Sequence, residues 1–205
     1  MLLVDVDAIS KLAHWNILPL IPELTGRSWD EIGTVSSLIH RAKCAVTKPD
    51  RKIFHTPAAA EIAVEVISQM RADLGEPSSQ ILDALSTSSQ IDAGEAVLLA
   101  TTADKPNGVF LTGDKRALRA LATHELAPIF AGKIMLIEQV ICLCLGSKGI
   151  DWVRENVCPY RNIDTAISVM LGSRCDASIA SVQDGVESYL REIEGLHDPS
   201  LLVKL

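Results

Sequence analysis

The sequence predicts an α/β fold in which short strands feed a parallel sheet, and three observations carry that reading. Leu2-Leu3-Val4 is a short apolar run with acids directly behind it, which reads as a buried strand ending at Asp5. A second such run, Val109–Thr112, follows a Pro106-Asn107-Gly108 turn and leads into Asp114. Around it the order is helix, turn, strand, acid, helix, the order of an α/β chain.

The remaining elements follow from periodicity and end signals. Between Ala8 and Leu24, apolar residues recur at helical spacing, with Asp7 as the predicted N-cap and Gly26 just past the end. Pro19 and Pro22 should kink or split that helix. Ser28 and Glu31 form a capping-box signature ahead of the periodic run Ile32–Ala45. Thr47–Thr56 reads as a loop, and Pro57 suits the first turn of a helix over Ala58–Leu74, with Gly75 as its stop. A short helix is expected at Ser79–Ser86, another from Ala93 to Ala103, and another over Lys115–Thr123. Ile134–Val140 reads as a further strand. Beyond residue 146 the pattern is helical, clearest at Asp164–Leu171 and Ala177–Ile193.

Composition narrows the function classes. The 205 residues are 48% hydrophobic and 22% charged, enough apolar material for a core and too little charge for a disordered chain. Aromatic residues are only 4%, which argues against a base-stacking platform for single strands. The net charge of −7 argues against nucleic-acid binding by counterion release alone, unless metal ions supply the positive charge. Five cysteines, an odd number without C-x-x-C spacing, argue against a disulfide framework and for a reducing compartment. The N-terminus has no basic leader, and no apolar stretch reaches the ~18–20 residues needed to span a bilayer. A cytoplasmic protein without a membrane segment is the expectation.

Acids mark the candidate site. In parallel α/β sheets, sites collect at the carboxyl ends of strands, where Asp5 and Asp114 stand. A third acidic cluster, Asp92-Ala93-Gly94-Glu95, opens a predicted helix. Carboxylates brought together repel one another unless a cation neutralises them, and hard oxygen ligands suit Mg²⁺ or Mn²⁺. Each acid also has a structural reading. Asp92 and Glu95 match a capping box, Asp114 can cap the helix that carries Arg116 and Arg119, and Asp7 can cap the first helix. Gly146-Ser147-Lys148-Gly149 lacks the frame of a P-loop, and the five histidines are scattered without metal-ligand spacing.

Taken together, LLVDVD with Asp5 and Asp7, Asp92-Ala93-Gly94-Glu95-Ala96, and Leu111-Thr112-Gly113-Asp114 resemble the PIN-domain family in order and spacing over about residues 1–140. The resemblance implies a three-layer α/β/α sandwich with a central parallel sheet in residues 1–145; residues 146–205 lie outside that core and read as a helical extension packed on the same body, because no linker separates them. It also implies divalent-metal-dependent ribonuclease activity. Asp5, Glu95 and Asp114 would be catalytic and, with Asp92, would hold Mg²⁺ or Mn²⁺. Asp7 and Thr112 would support them, and Lys115, Arg116 and Arg119 would receive phosphates. RNA is the implied partner, with an antitoxin-like protein or a second copy of the chain as others. Family members usually add an acid after the first helix. Glu23, Asp30, Glu31 and Glu61 are the candidates here, and none sits in a recognisable motif.

Two other readings compete. One is a PIN-like protein that binds nucleic acid or protein without catalysis. The other is small-molecule phosphoryl hydrolysis, because Asp5-x-Asp7 behind a strand is similar to the start of haloacid-dehalogenase-type phosphatases. Their later acidic pair has no counterpart here.

Overall fold

The computed structural model describes residues 1–50, 52–197 and 199–204. Four strands form one all-parallel sheet in the order β2-β1-β3-β4: β1 (Leu2–Val4), β2 (Ile32–Gly33), β3 (Val109–Thr112) and β4 (Ile134–Leu136). Leu3 pairs with Gly33 on one side and Phe110 on the other, and Leu111 pairs with Met135. The Asp5 N–H donates to the Leu111 carbonyl at 2.9 Å, so the ladder runs up to the first acid.

The strands are apolar throughout because helices cover both faces of the sheet. Leu2, Val4, Leu111 and Met135 point into one cluster, packed by α1 (Val6–His14), α3 (Leu38–Thr47), α4 (Pro57–Ile67) and α8 (Ile137–Val157). Leu3, Phe110, Ile134 and Leu136 point into the other, with α5 (Ser79–Leu85), α6 (Ala93–Asp104) and α7 (Lys115–Ala122). The period of two along each strand divides the core between the two layers. Leu201 and Leu202 are buried beside β4, where Leu202 bridges to Ile134 and covers that edge of the sheet.

Several boundaries differ from the sequence expectation. The first helix begins at Val6, so Asp5 is its N-cap in place of Asp7: the Asp5 Oδ1 accepts from the Val6 N–H at 2.7 Å. The chain leaves that helix at Trp15–Asn16, before Pro19, and a separate α2 (Ile21–Thr25) ends on left-handed Gly26. The Ser28–Glu31 capping box forms, but it closes a 3₁₀ turn. Ile32–Gly33 then pairs with β1 where a helix was expected, and α3 starts only at Leu38. The helix from Pro57 stops at Ile67, because the following backbone turns so that the Arg71 N–H reaches the Ile32 carbonyl at 2.8 Å.

The run expected as one strand, Ile134–Val140, divides after Leu136. There the Gln139 side chain accepts from the Leu136 N–H at 2.9 Å and starts α8. That helix runs through residue 145 and bends at Gly149, whose φ of 82° lies outside helical geometry. The kink is what the Gly146–Gly149 segment provides. Beyond it, α9 (Thr165–Leu171) and α10 (Ile179–Glu194) complete the helical part.

A disulfide joins Cys158 to Cys175, contrary to the expectation from cysteine number. Their separation of 17 residues brackets α9, and parity of the count carries no information about such a single long-range pair. Among the described residues, no helix is long and apolar enough to cross a membrane.

Candidate acidic site

Parallel strands deliver their carboxyl ends to the same edge of the sheet, which is why β1 and β3 bring Asp5 and Asp114 together. Asp5 is 5% exposed. The Thr112 hydroxyl donates to its Oδ2 at 3.2 Å and accepts from the Asp114 N–H at 2.9 Å, so one side chain at the end of β3 orients both acids.

At the start of α6 the capping box is present in full. The Asp92 N–H donates to Glu95 Oε2 at 2.7 Å, and the Glu95 N–H to Asp92 Oδ1 at 2.9 Å. Asp114 caps α7, accepting from the Arg116 and Ala117 N–H groups at 2.8 and 3.0 Å, and Arg116 closes a pair with its other oxygen at 3.0 Å. The capping roles of Asp5, Asp92, Glu95 and Asp114 are therefore real, while Asp7, in the first turn of α1, pairs with Lys11 instead.

The tertiary structure adds convergence to capping. Asp5, Asp7, Asp92, Glu95 and Asp114 all line one cavity of about 200 Å³, together with Ser10 and Lys52. Burial, then repulsion from Glu95, Asp7 and Asp92, raises the Asp5 carboxyl to about 7. Burial, with repulsion from Asp92 and Asp114, raises Glu95 to about 7 as well, against the favourable Asp92 N–H. The site accumulates more negative charge than its own hydrogen bonds offset.

The donor set is all oxygen and suits a hard divalent ion. As the side chains lie, their oxygens serve local backbone donors and the side chains of Thr112, Arg116 and Lys11. Among the described residues, no group of three His, Cys, Asp or Glu side chains is arranged to hold a metal ion.

The cations expected to meet phosphates have different surroundings. Lys115 turns inward to the fully buried Glu138 at 2.7 Å, Arg116 stays on Asp114, and Arg119 pairs at the surface with Glu192 at 3.3 Å. None of Glu23, Asp30, Glu31 and Glu61 lines the cavity. Glu23 pairs with Lys148 at 2.8 Å, and Glu31 belongs to the Ser28 cap.

Several participants carry no sequence motif. Lys52 reaches the cavity from an irregular loop, a placement that no local pattern announces. Lys11 bridges Asp7 at 2.6 Å and Asp164 at 2.9 Å. Its first partner is readable as an i,i+4 helix pair; its second is a fold contact. Gly113 makes room for this pair, since a Cβ there would lie 2.5 Å from Asp7 Oδ2 and 3.1 Å from Lys11 Nζ. Two of the scattered histidines also meet. The His55 N–H donates to His14 Nε2 at 3.2 Å, and burial lowers the His14 pKa. Compared with family models, curated proteins and solved structures, the chain shows no match, so the reading of this site rests on its own residues.

Proposed function

We propose that this chain is a PIN-like, divalent-metal-dependent ribonuclease whose centre is the acidic cavity. The observation that carries the reading is that five carboxyl groups line one small cavity at the strand ends, with Asp5 and Glu95 raised to about 7 by burial and mutual repulsion. Clustering of this kind opposes folding in the absence of a cation and is the environment expected of a functional site.

Asp5, Glu95 and Asp114, with Asp92 beside them, would hold Mg²⁺ or Mn²⁺, which when bound supplies charge neutralisation at a phosphodiester and a more acidic water. The chain's own groups do the positioning. The Thr112 hydroxyl fixes the Asp5 carboxylate, and Lys11 neutralises Asp7 on the rim. Lys52 stands on the same cavity, where a substrate phosphate would find an ammonium group.

The test is cleavage of a mixed-sequence single-stranded RNA with Mg²⁺ or Mn²⁺, against EDTA and Asp114→Asn. Cleavage that depends on the metal and is lost in the variant is expected. Intact RNA after incubation with folded, metal-loaded protein would sink the proposal.

A second reading, a PIN-like binding protein without catalysis, draws on the capping bonds that already occupy Asp5, Asp92, Glu95 and Asp114. A Mn²⁺ titration separates the two. Weak binding unaffected by Asp5→Asn favours the binding protein, and site-specific binding lost in that variant favours the enzyme.

A further inference from the structure

A larger cleft of about 860 Å³ opens beside the acidic cavity, between α1 and α7 of the body and α9 and α10 of the C-terminal part. It lies within the range of roughly 300–1,000 Å³ in which small organic ligands bind. The two spaces share a wall: Asp7 lines the acidic cavity, Lys11 lines the cleft, and the two are paired at 2.6 Å. We propose that the cleft is a nucleotide subsite that holds the base and sugar flanking the cut bond of a single-stranded RNA, with Arg119 receiving the adjoining phosphate. This rests on the nuclease reading of the acidic cavity.

Three features of the cleft select that ligand. One wall, on α9, is apolar and partly open, with Met170 and Val169, the latter 75% exposed. Beside it, α10 packs on α9 with Gly185 against Met170 and presents small hydroxyl side chains to the cleft, Ser181 and Ser188. An apolar surface beside hydroxyl donors and acceptors fits a nucleobase with its polar edge and sugar.

The charges distinguish a nucleotide subsite from a general anion site. Lys11 and Lys115 also line the cleft, but their ammonium groups are held by buried Asp164 and Glu138 at 2.9 and 2.7 Å. Arg119 is different. Its contact with Glu192 is 3.3 Å long with both side chains more than half exposed, and such pairs contribute little, so a phosphate can displace the glutamate. One exchangeable cation, beside two lysines already held by buried acids, matches one phosphate beside one nucleoside.

The experiment uses the Asp5→Asn protein, which binds RNA without turning it over, and a short fluorescein-labelled single-stranded RNA read by anisotropy in Mg²⁺. Adding Ser188→Trp, which fills the cleft from an exposed position, or Arg119→Glu is expected to weaken binding at least about tenfold, the loss of one such contact. Thermal unfolding of each variant checks the fold, and either variant suffices if the other is unstable. Undiminished affinity in folded cleft variants overturns the subsite, as does failure of both the Asp5→Asn protein and the wild-type protein in EDTA to bind the RNA. Cleft-dependent binding by a wild-type protein that does not cleave overturns the nuclease reading and leaves the cleft as a nucleotide-binding site without a cut bond beside it.

Discussion

Asp5 is 5% exposed, caps α1 through the Val6 N–H, and faces the charges of Glu95, Asp7 and Asp92. Its carboxyl is raised from 3.8 in the unfolded reference to about 7 in the fold, and Glu95 from 4.5 to about 7. A raised folded pKa means that the contribution to stability is complete below the unfolded value and is lost as pH rises through the folded one. Metal-free protein should therefore lose stability between about pH 4 and 7, and Mg²⁺ should restore it above that range. Asparagine at position 5 keeps the Oδ1 acceptor for the cap and removes the charge. In EDTA at about pH 8, Asp5→Asn should be more stable than wild type by on the order of a few kcal/mol, the two converging near pH 4. Urea unfolding across pH measures this, and equal stability at every pH would show that Asp5 carries no electrostatic strain. The acid itself was legible from LLVD; its elevated pKa was not, because that depends on burial in the fold and then on Glu95, 90 residues further along the chain.

At the scale of elements, local signals identified what local contacts build. The Asp92–Glu95 box, the Asp114 cap and Pro57 at the start of α4 all sit where caps and first turns are written into residue types. β2 escaped because a two-residue strand is too short to show a period, and its partner β1 supplies the evidence for it. The β4–α8 boundary escaped because Ile134–Leu145 is apolar apart from Glu138 and Gln139, and these two are buried as well, which erases amphipathic contrast. The Cys158–Cys175 bond closes a 17-residue loop around α9, and inside that loop Asp164 grips Lys11. Opening it with a dithiol reductant or Cys158→Ser should cost about 3 kcal/mol by chain entropy. Hydrogen exchange should then quicken in α9 while the sheet amides stay protected. Unchanged α9 protection in the reduced protein would contradict a clamping role.

Across the whole molecule, a chain of charges ties the C-terminal helices to the body: Asp7 to Lys11 at 2.6 Å, Lys11 to Asp164 at 2.9 Å, and Lys115 to Asp164 and Glu138 at 3.7 and 2.7 Å. Glu138 is fully buried and its pKa is raised by that burial, with Lys115 opposing the rise. Removing the ammonium alone strands a carboxylate in the core. Lys115→Met should cost about 3–5 kcal/mol near neutral pH. The cost should shrink in acid, where Glu138 takes up a proton, and Glu138→Gln in the same chain should recover part of it. Chemical denaturation of the single and double variants decides, and additive losses would mean that the two groups do not interact. The network brings residues 7, 115, 138 and 164 together from four elements, and no window of sequence contains more than a fragment of it.

The sequence by itself determined the α/β class, the strands Leu2–Val4 and Val109–Thr112, and the acids behind them. These depend on short apolar runs, caps and turns, whose physics is local. Only the tertiary structure decided the sheet order, the shared cavity with Lys52 on its wall, the disulfide, and the cleft against α9 and α10. Lys11 and Asp164 are 153 residues apart. A contact across that distance leaves no periodicity in the chain, and it exists because the sheet and both of its helical layers are in place.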